Sequence, residues 1–236
     1  MDYSDAVEQA PPGWTHFALR DIERLPHAVR AHELARVPEP EQRLLARHDR
    51  SAAERLLRAL FWTLVYHLEP ERWDMLAANE PIHPDVLAAL PTGTLRSIDV
   101  GAGSGRLTRH LADRSRQVIA VEPSRGLRLL LAARMPQVLT VSGWAERLPL
   151  ATGCSDLTAA CGALGPDPLV IQELRRVTAV GGTIALISPE RPEWFEANGW
   201  RRTSAPPIAA PAHPAWIDAF FGPPNPPREL VTIRVS

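Results

Sequence analysis

The chain changes texture near residue 95. Up to about residue 92 the apolar positions recur at helical spacing with no run suited to a buried strand. Beyond it, short apolar runs at 95–100, 117–122, 138–142, 156–161 and 183–188 read as strands. Amphipathic stretches at 106–114 (Leu107 and Leu111 inward), 124–134 and 167–177 lie between most of them. The last has Asp167 at the N-cap and Pro168 at the first helical position. Strand and helix alternating at this spacing predict βαβ units and a parallel sheet.

The flanking segments are less regular. Scattered proline and charge in the first 45 or so residues predict short helices. Ser51 and Glu54 have capping-box spacing, which predicts a helix from Ser51 whose inner face carries Leu56, Leu57, Leu60, Leu64 and Leu68. Pro70 interrupts, a short helix follows through Trp73 and Leu76, and His83-Pro84-Asp85 opens another that ends near Pro91. After the sheet, 192–198 reads as a helix stopped by Gly199, with strands near 200–204 and 230–235. The proline-rich stretches 205–214 and 222–227 read as irregular loops. The expected organisation is a helical extension or lid over 1–92 and an α/β domain over 93–236.

Composition narrows the function. The 236 residues are 45% hydrophobic, enough for a real core, and the formal charge of -1 draws the molecule to neither nucleic acid nor anionic membrane. All 26 basic side chains are arginine, so Schiff-base lysine chemistry is excluded. Cys154 and Cys161 are too few for a disulfide framework or a zinc site, and His27 and His32 do not share a helix face, so no metal site is expected. The apolar stretch 56–68 is broken by Arg58 and His67 and is shorter than the roughly 20 residues a membrane span needs. The N-terminus shows no basic region followed by an apolar one. The expectation is a cytoplasmic protein.

Asp99-Val100-Gly101-Ala102-Gly103-Ser104-Gly105 ends a strand and precedes a helix. Glycines there let the backbone turn tightly and approach a ligand with no Cβ in the way. A dinucleotide fingerprint would place a third glycine at position 106, which is Arg106. Glu122, at the end of the next strand, can accept both hydroxyls of a ribose, because the ligand crevice lies outside the carboxyl ends of the strands.

These residues resemble the class I S-adenosylmethionine-dependent methyltransferases. The stretch from Asp99 to Gly105 is similar to their first motif and Glu122-Pro123-Ser124 to the ribose-binding second. The segment 143–150 is similar to the adenine-side segment after the third strand, and 177–183 to the helix-to-strand turn before the fifth. The resemblance implies a three-layer α/β/α Rossmann-like fold with a mostly parallel seven-stranded sheet and a C-terminal antiparallel hairpin. It also implies S-adenosylmethionine as cofactor. Gly101, Ala102, Gly103 and Gly105 would form the turn against its methionine portion, and Asp99 would hold its amino group through water. Glu122 would take the ribose hydroxyls, Pro123 would pack near the adenine, and the backbone around Ala145 would read the adenine edge. Where the family commonly has aspartate this chain has Trp144. Either Glu146 takes over that contact, or Trp144 packs on the ring or fills a core gap.

The implied function is methyl transfer to a small-molecule acceptor by in-line displacement, with no fixed catalytic residue. Trp73, Asp74 and His83 are the first candidates for acceptor contact, with a packing role as the alternative for Trp73 and for His83. The competing functions are a nucleotide-dependent dehydrogenase, disfavoured by Arg106, and a non-catalytic relative serving as a regulatory or partner subunit.

Overall fold

The computed structural model describes residues 2–236. Its helices are α1 Tyr3–Glu8, α2 Leu19–Glu23, α3 His27–Ala35, α4 Glu39–Ala46, α5 Arg50–Ala59, α6 Phe61–Leu68, α7 Pro70–Asn79, α8 Pro84–Ala88, α9 Thr108–Ala112, α10 Arg125–Arg134, α11 Pro168–Val177, α12 Pro192–Ala197 and α13 Ala215–Phe221. Its strands are β1 Thr94–Val100, β2 Ser115–Val121, β3 Leu139–Val141, β4 Ser155–Cys161, β5 Thr178–Ile187, β6 Arg201–Ser204 and β7 Glu229–Arg234. Packing divides the chain into two compact units, one running to Leu76 and taking in Ala212–Pro224, the other made of Ala77–Pro211 and Asn225–Ser236. Ile82, Val86 and Leu90 belong to the apolar cluster of the sheet.

The helical unit is built around Phe61, Leu64 and Val65, all fully buried. Asp49, not Ser51, caps α5: its carboxylate accepts the Ala52 N–H at 2.8 Å, so the helix starts two residues earlier than expected. The leucine-rich stretch is also two helices, broken at Leu60. Helix α13 was not legible in the proline-rich C-terminal region. It has seven residues, and Phe220 and Phe221 pack beside Phe61 with ring centroids 5.5 and 6.1 Å away. Gly13 lies against it, and a Cβ there would meet the Phe220 carbonyl oxygen at 2.6 Å.

The second unit is a seven-stranded sheet in the order β3-β2-β1-β4-β5-β7-β6. All pairings are parallel except those of β7, which runs antiparallel to both β5 and β6. Alternate side chains separate the two faces. Val118, Ala120, Ala185, Ile187 and Leu230 pack with Val86 of α8, Leu107 just before α9, Leu111 of α9 and Leu131 of α10. Ile119, Val121, Ile184, Leu186 and Val231 pack with Val170, Leu174 and Phe195 of α11 and α12 on the other face. Helices on both faces of a mainly parallel sheet give the expected three layers, and the last two strands form the expected hairpin.

Strand β5 begins five residues earlier than the sequence predicts, directly after α11. Its pairing with β4 shifts register between Ser155 and Leu157, where Gly181 has φ of +79°. A Cβ on Gly182 would lie 2.8 Å from the Ala179 carbonyl oxygen. The glycines read as a turn instead form a bulge inside the strand. The rims of the sheet differ: β3 is only three residues long, and β6 carries Arg201 and Arg202. Among the described residues no helix is long and apolar enough to cross a membrane.

Candidate functional site

Strand order reverses beside β1, whose neighbours are β2 and β4, and the crevice of an open α/β sheet lies at such a point outside the carboxyl ends. The glycine turn occupies this place. Gly101, Gly103 and Gly105 have φ of +68°, +57° and +104°, a region other residues rarely adopt. The Gly101 and Ala102 N–H groups both donate to the Val121 carbonyl, at 2.9 and 3.1 Å, so the turn leans on the end of β2. From the other side, the Ala163 methyl would be 2.9 Å from a Cβ on Gly101.

Glu122 follows β2 directly and is 5% exposed. Its Oε2 accepts the Gly103 N–H at 2.9 Å and its Oε1 the Ser124 N–H at 2.7 Å. Burial pushes this carboxyl up, and the two N–H groups and Arg128 oppose that. An ionised carboxylate offers about four acceptor positions, so two remain for a vicinal diol. Arg128 spans the Glu122 and Pro123 carbonyls, its Nη1 donating to them at 2.5 and 2.7 Å.

Asp99 is the penultimate residue of β1, and its Oδ2 accepts the Thr108 hydroxyl at 2.6 Å. Its Oδ1 is buried and has no hydrogen-bond partner among the described residues. Burial pushes the carboxyl up to about 7; Thr108 and Arg106 pull against this, and Glu122 adds to it. A buried, unpartnered acceptor beside a Cβ-free turn fits a cationic amino group with a short aliphatic stem.

The segment 143–150 reaches the same end of β2. A Cβ on Gly143 would lie 2.6 Å from Pro149 Cδ and 2.9 Å from Val121 Cγ1, so only glycine fits. Helix α11 clamps the segment: Glu173 accepts the Leu148 N–H at 2.7 Å, and Arg176 donates to the Leu150 and Leu148 carbonyls at 2.7 and 3.0 Å. Trp144, Ala145 and Glu146 are half-buried, with Trp144 bridged to Arg147 in a short antiparallel pair.

Residues 98–182 match the family described as a methyltransferase domain. Over that stretch the chain is similar to a methyltransferase domain. An uncharacterized methyltransferase of Mycobacterium tuberculosis is 36% identical over 115 residues, covering 48% of this chain and 46% of that protein. A demethylmenaquinone methyltransferase of Beutenbergia cavernae is 35% identical over 118 residues, 48% of each chain. The chain thus spans about half the length of the curated relatives it matches. A SAM-dependent methyltransferase from Thermotoga maritima has the same fold, with a TM-score of 0.50 at 18% identity, covering 74% of this chain and 99% of that one.

At this end of the sheet the Gly103 N–H of the turn donates to Glu122, Asp99 accepts from Thr108, and Gly143 of the 143–150 segment lies against Val121. Of the acceptor candidates, Trp73 and Asp74 belong to the helical unit and His83 to the sheet unit. Trp73 is in the aromatic cluster of the helical unit, edge-on to Trp62 and Tyr66 at 5.8 and 5.0 Å. His83 is buried as the N-cap of α8, its Nδ1 accepting the Asp85 N–H at 3.1 Å. Thr108, Arg128, Glu173 and Arg176 escaped the sequence reading. Only Arg128 left a signal, standing four residues after the Ser124 cap on the first turn of a helix.

Proposed function

We propose that the protein methylates a small-molecule acceptor with S-adenosylmethionine, and that the residues predicted for the cofactor hold it in the crevice beside β1. The observation that carries this reading is the Glu122 carboxylate, oriented by two backbone N–H groups with acceptor capacity to spare. When bound, the cofactor supplies an electrophilic methyl on its sulfonium.

The chain's own residues do the positioning. Glu122 takes the ribose hydroxyls, Asp99 Oδ1 the amino group, directly or through water, and the turn from Gly101 to Gly105 lets the backbone close on the methionine portion. Pro123, Trp144, Ala145 and Glu146 border the adenine. Holding donor and acceptor in line is worth about 7–11 kcal/mol when the geometry is near attack, so no dedicated base is required. His83 is not that base at Nε2. With Nδ1 accepting from the backbone, the neutral ring carries its proton on Nε2, which leaves His83 a donor toward an acceptor. The net charge of -1 and a relative named for a quinone-type acceptor support the small-molecule class.

Calorimetric titration with S-adenosylhomocysteine and, separately, NAD tests the cofactor. Binding of the first without the second is expected, and the reverse would overturn the reading. Labelled cofactor offered with hydroxylated, aminated and carboxylated acceptors then tests transfer. Binding without transfer to any class would make the protein a non-catalytic relative.

A further inference from the structure

The loop after β4 touches the glycine turn at both of its ends. At the start, the Ala163 methyl would lie 2.9 Å from a Cβ on Gly101. At the end, Arg106 follows Gly105 and turns its side chain inward, leaving it 8% exposed. Its Nη2 lies 3.5 Å from the Cys161 carbonyl and would be 3.1 Å from a Cβ on Gly162. Its Nη1 donates to Glu80 Oε2 at 2.8 Å.

Glu80 carries the connection further. Its Oε1 accepts the Asn225 N–H at 2.9 Å, and the His83 N–H donates to the Pro227 carbonyl at 2.9 Å. Residues 80–83 and 225–227 are thus joined at two points. Just before each of them the chain passes between the helical unit and the sheet unit, after Leu76 and after Pro224. Both partners of the ion pair are largely buried, so salt screens it little.

Three glycines with positive φ make the unfilled turn a soft element, because glycine has more backbone freedom to lose than any other residue. A ligand that fixes the turn fixes the backbone of Arg106 with it, and the guanidinium passes that restraint to Glu80. We propose that Arg106 and Glu80 are a positioning pair that couples occupancy of the glycine turn to the two chain passages into the helical unit. The inference rests on the cofactor reading above and deepens it. Coupling of this kind needs no change of shape, since order imposed at one place lowers the entropic cost of order at the other. By linkage it acts in both directions, so whatever fixes the passages also tightens the grip on the cofactor.

The Asn225 and His83 amides each form one of the two ties, and their hydrogen exchange is followed by NMR on the full chain with and without S-adenosylhomocysteine. In the wild type the ligand should slow both by about tenfold. In Arg106→Met it should still protect the amides of the turn, yet slow Asn225 and His83 by less than about twofold. Arg106→Lys keeps a cation within reach of Glu80 and should restore most of the effect, whereas a packing role alone would leave the two variants alike. Equal slowing in the wild type and Arg106→Met would overturn the inference, as would unchanged Asn225 and His83 in a wild type whose turn is protected. Without ligand, Arg106→Met should speed exchange at these two amides several-fold relative to those of β2, and general destabilisation would speed both sets together. Exchange at the two amides no faster than in the wild type, or faster only in step with β2, would also overturn it. The ligand-free comparison needs no cofactor, so failure of the wild type to bind S-adenosylhomocysteine would count against the cofactor reading alone.

Discussion

Glu122 and Gly103 are joined by a 2.9 Å hydrogen bond from the backbone N–H of the turn after β1 to the carboxylate after β2. One side chain thus organises the turn and is the proposed grip on the ribose. Glu122→Ala leaves the Gly103 and Ser124 N–H groups without their partner, at a stability cost of about 1–3 kcal/mol. Glu122→Gln keeps one acceptor oxygen and should fold more nearly as the wild type, yet lose affinity for S-adenosylhomocysteine. Urea denaturation and calorimetry on the pair separate the structural role from the binding one. Wild-type affinity in both variants would remove Glu122 from the site.

Gly101 combines a positive φ with a close neighbour, since Ala163 would lie 2.9 Å from its Cβ. Gly101→Ala should cost about 1–3 kcal/mol from backbone strain, with the clash added to it. Gly93 has φ of +70° but nothing within 4 Å of a Cβ. Gly93→Ala should therefore show the strain alone, and the difference in urea midpoints measures the packing share.

The Asp99 carboxyl holds its proton to about pH 7 in the folded chain, against an ordinary value of 3.8. Between these limits the folded state binds more protons than the unfolded one, so stability falls as pH rises through the window and levels off above it. Asp99→Asn removes this slope. Compared with that variant, the wild type should lose stability between pH 5 and about 7, read as the shift of the urea midpoint with pH. A cationic amino group at Oδ1 prefers the ionised form, so S-adenosylhomocysteine should bind more tightly as pH rises through the same range.

Phe61 is fully buried at the centre of the helical unit, with Phe17, Trp62, Phe220 and Phe221 around its ring. Phe61→Ala should cost about 3–5 kcal/mol in the transition of that unit. Trp62 stacks on Phe221 at 5.7 Å, so tryptophan fluorescence reports the loss.

The sheet was largely legible because each buried strand is an apolar run and each cap a named residue, as with Asp167 accepting the Leu169 and Val170 N–H groups. The Asp99, glycine turn and Glu122 group was legible for a related reason: a tight approach of backbone leaves glycine in the sequence. Three features were not. Asp49 outcompetes Ser51 as a cap through a hydrogen bond that local spacing does not rank. Helix α13 is too short for periodicity and depends on Phe61, distant in sequence. The register shift at Gly181 depends on β4. In the last two cases a partner remote from the local pattern decides the outcome.

The two rims of the sheet bear on how the molecule behaves at high concentration. A three-residue β3 offers a second copy almost no backbone to pair with. At the opposite rim, Arg201 and Arg202 of one β6 would face those of another, and bringing guanidinium groups together opposes pairing. Each end of the ladder is thereby shielded against growth into fibres.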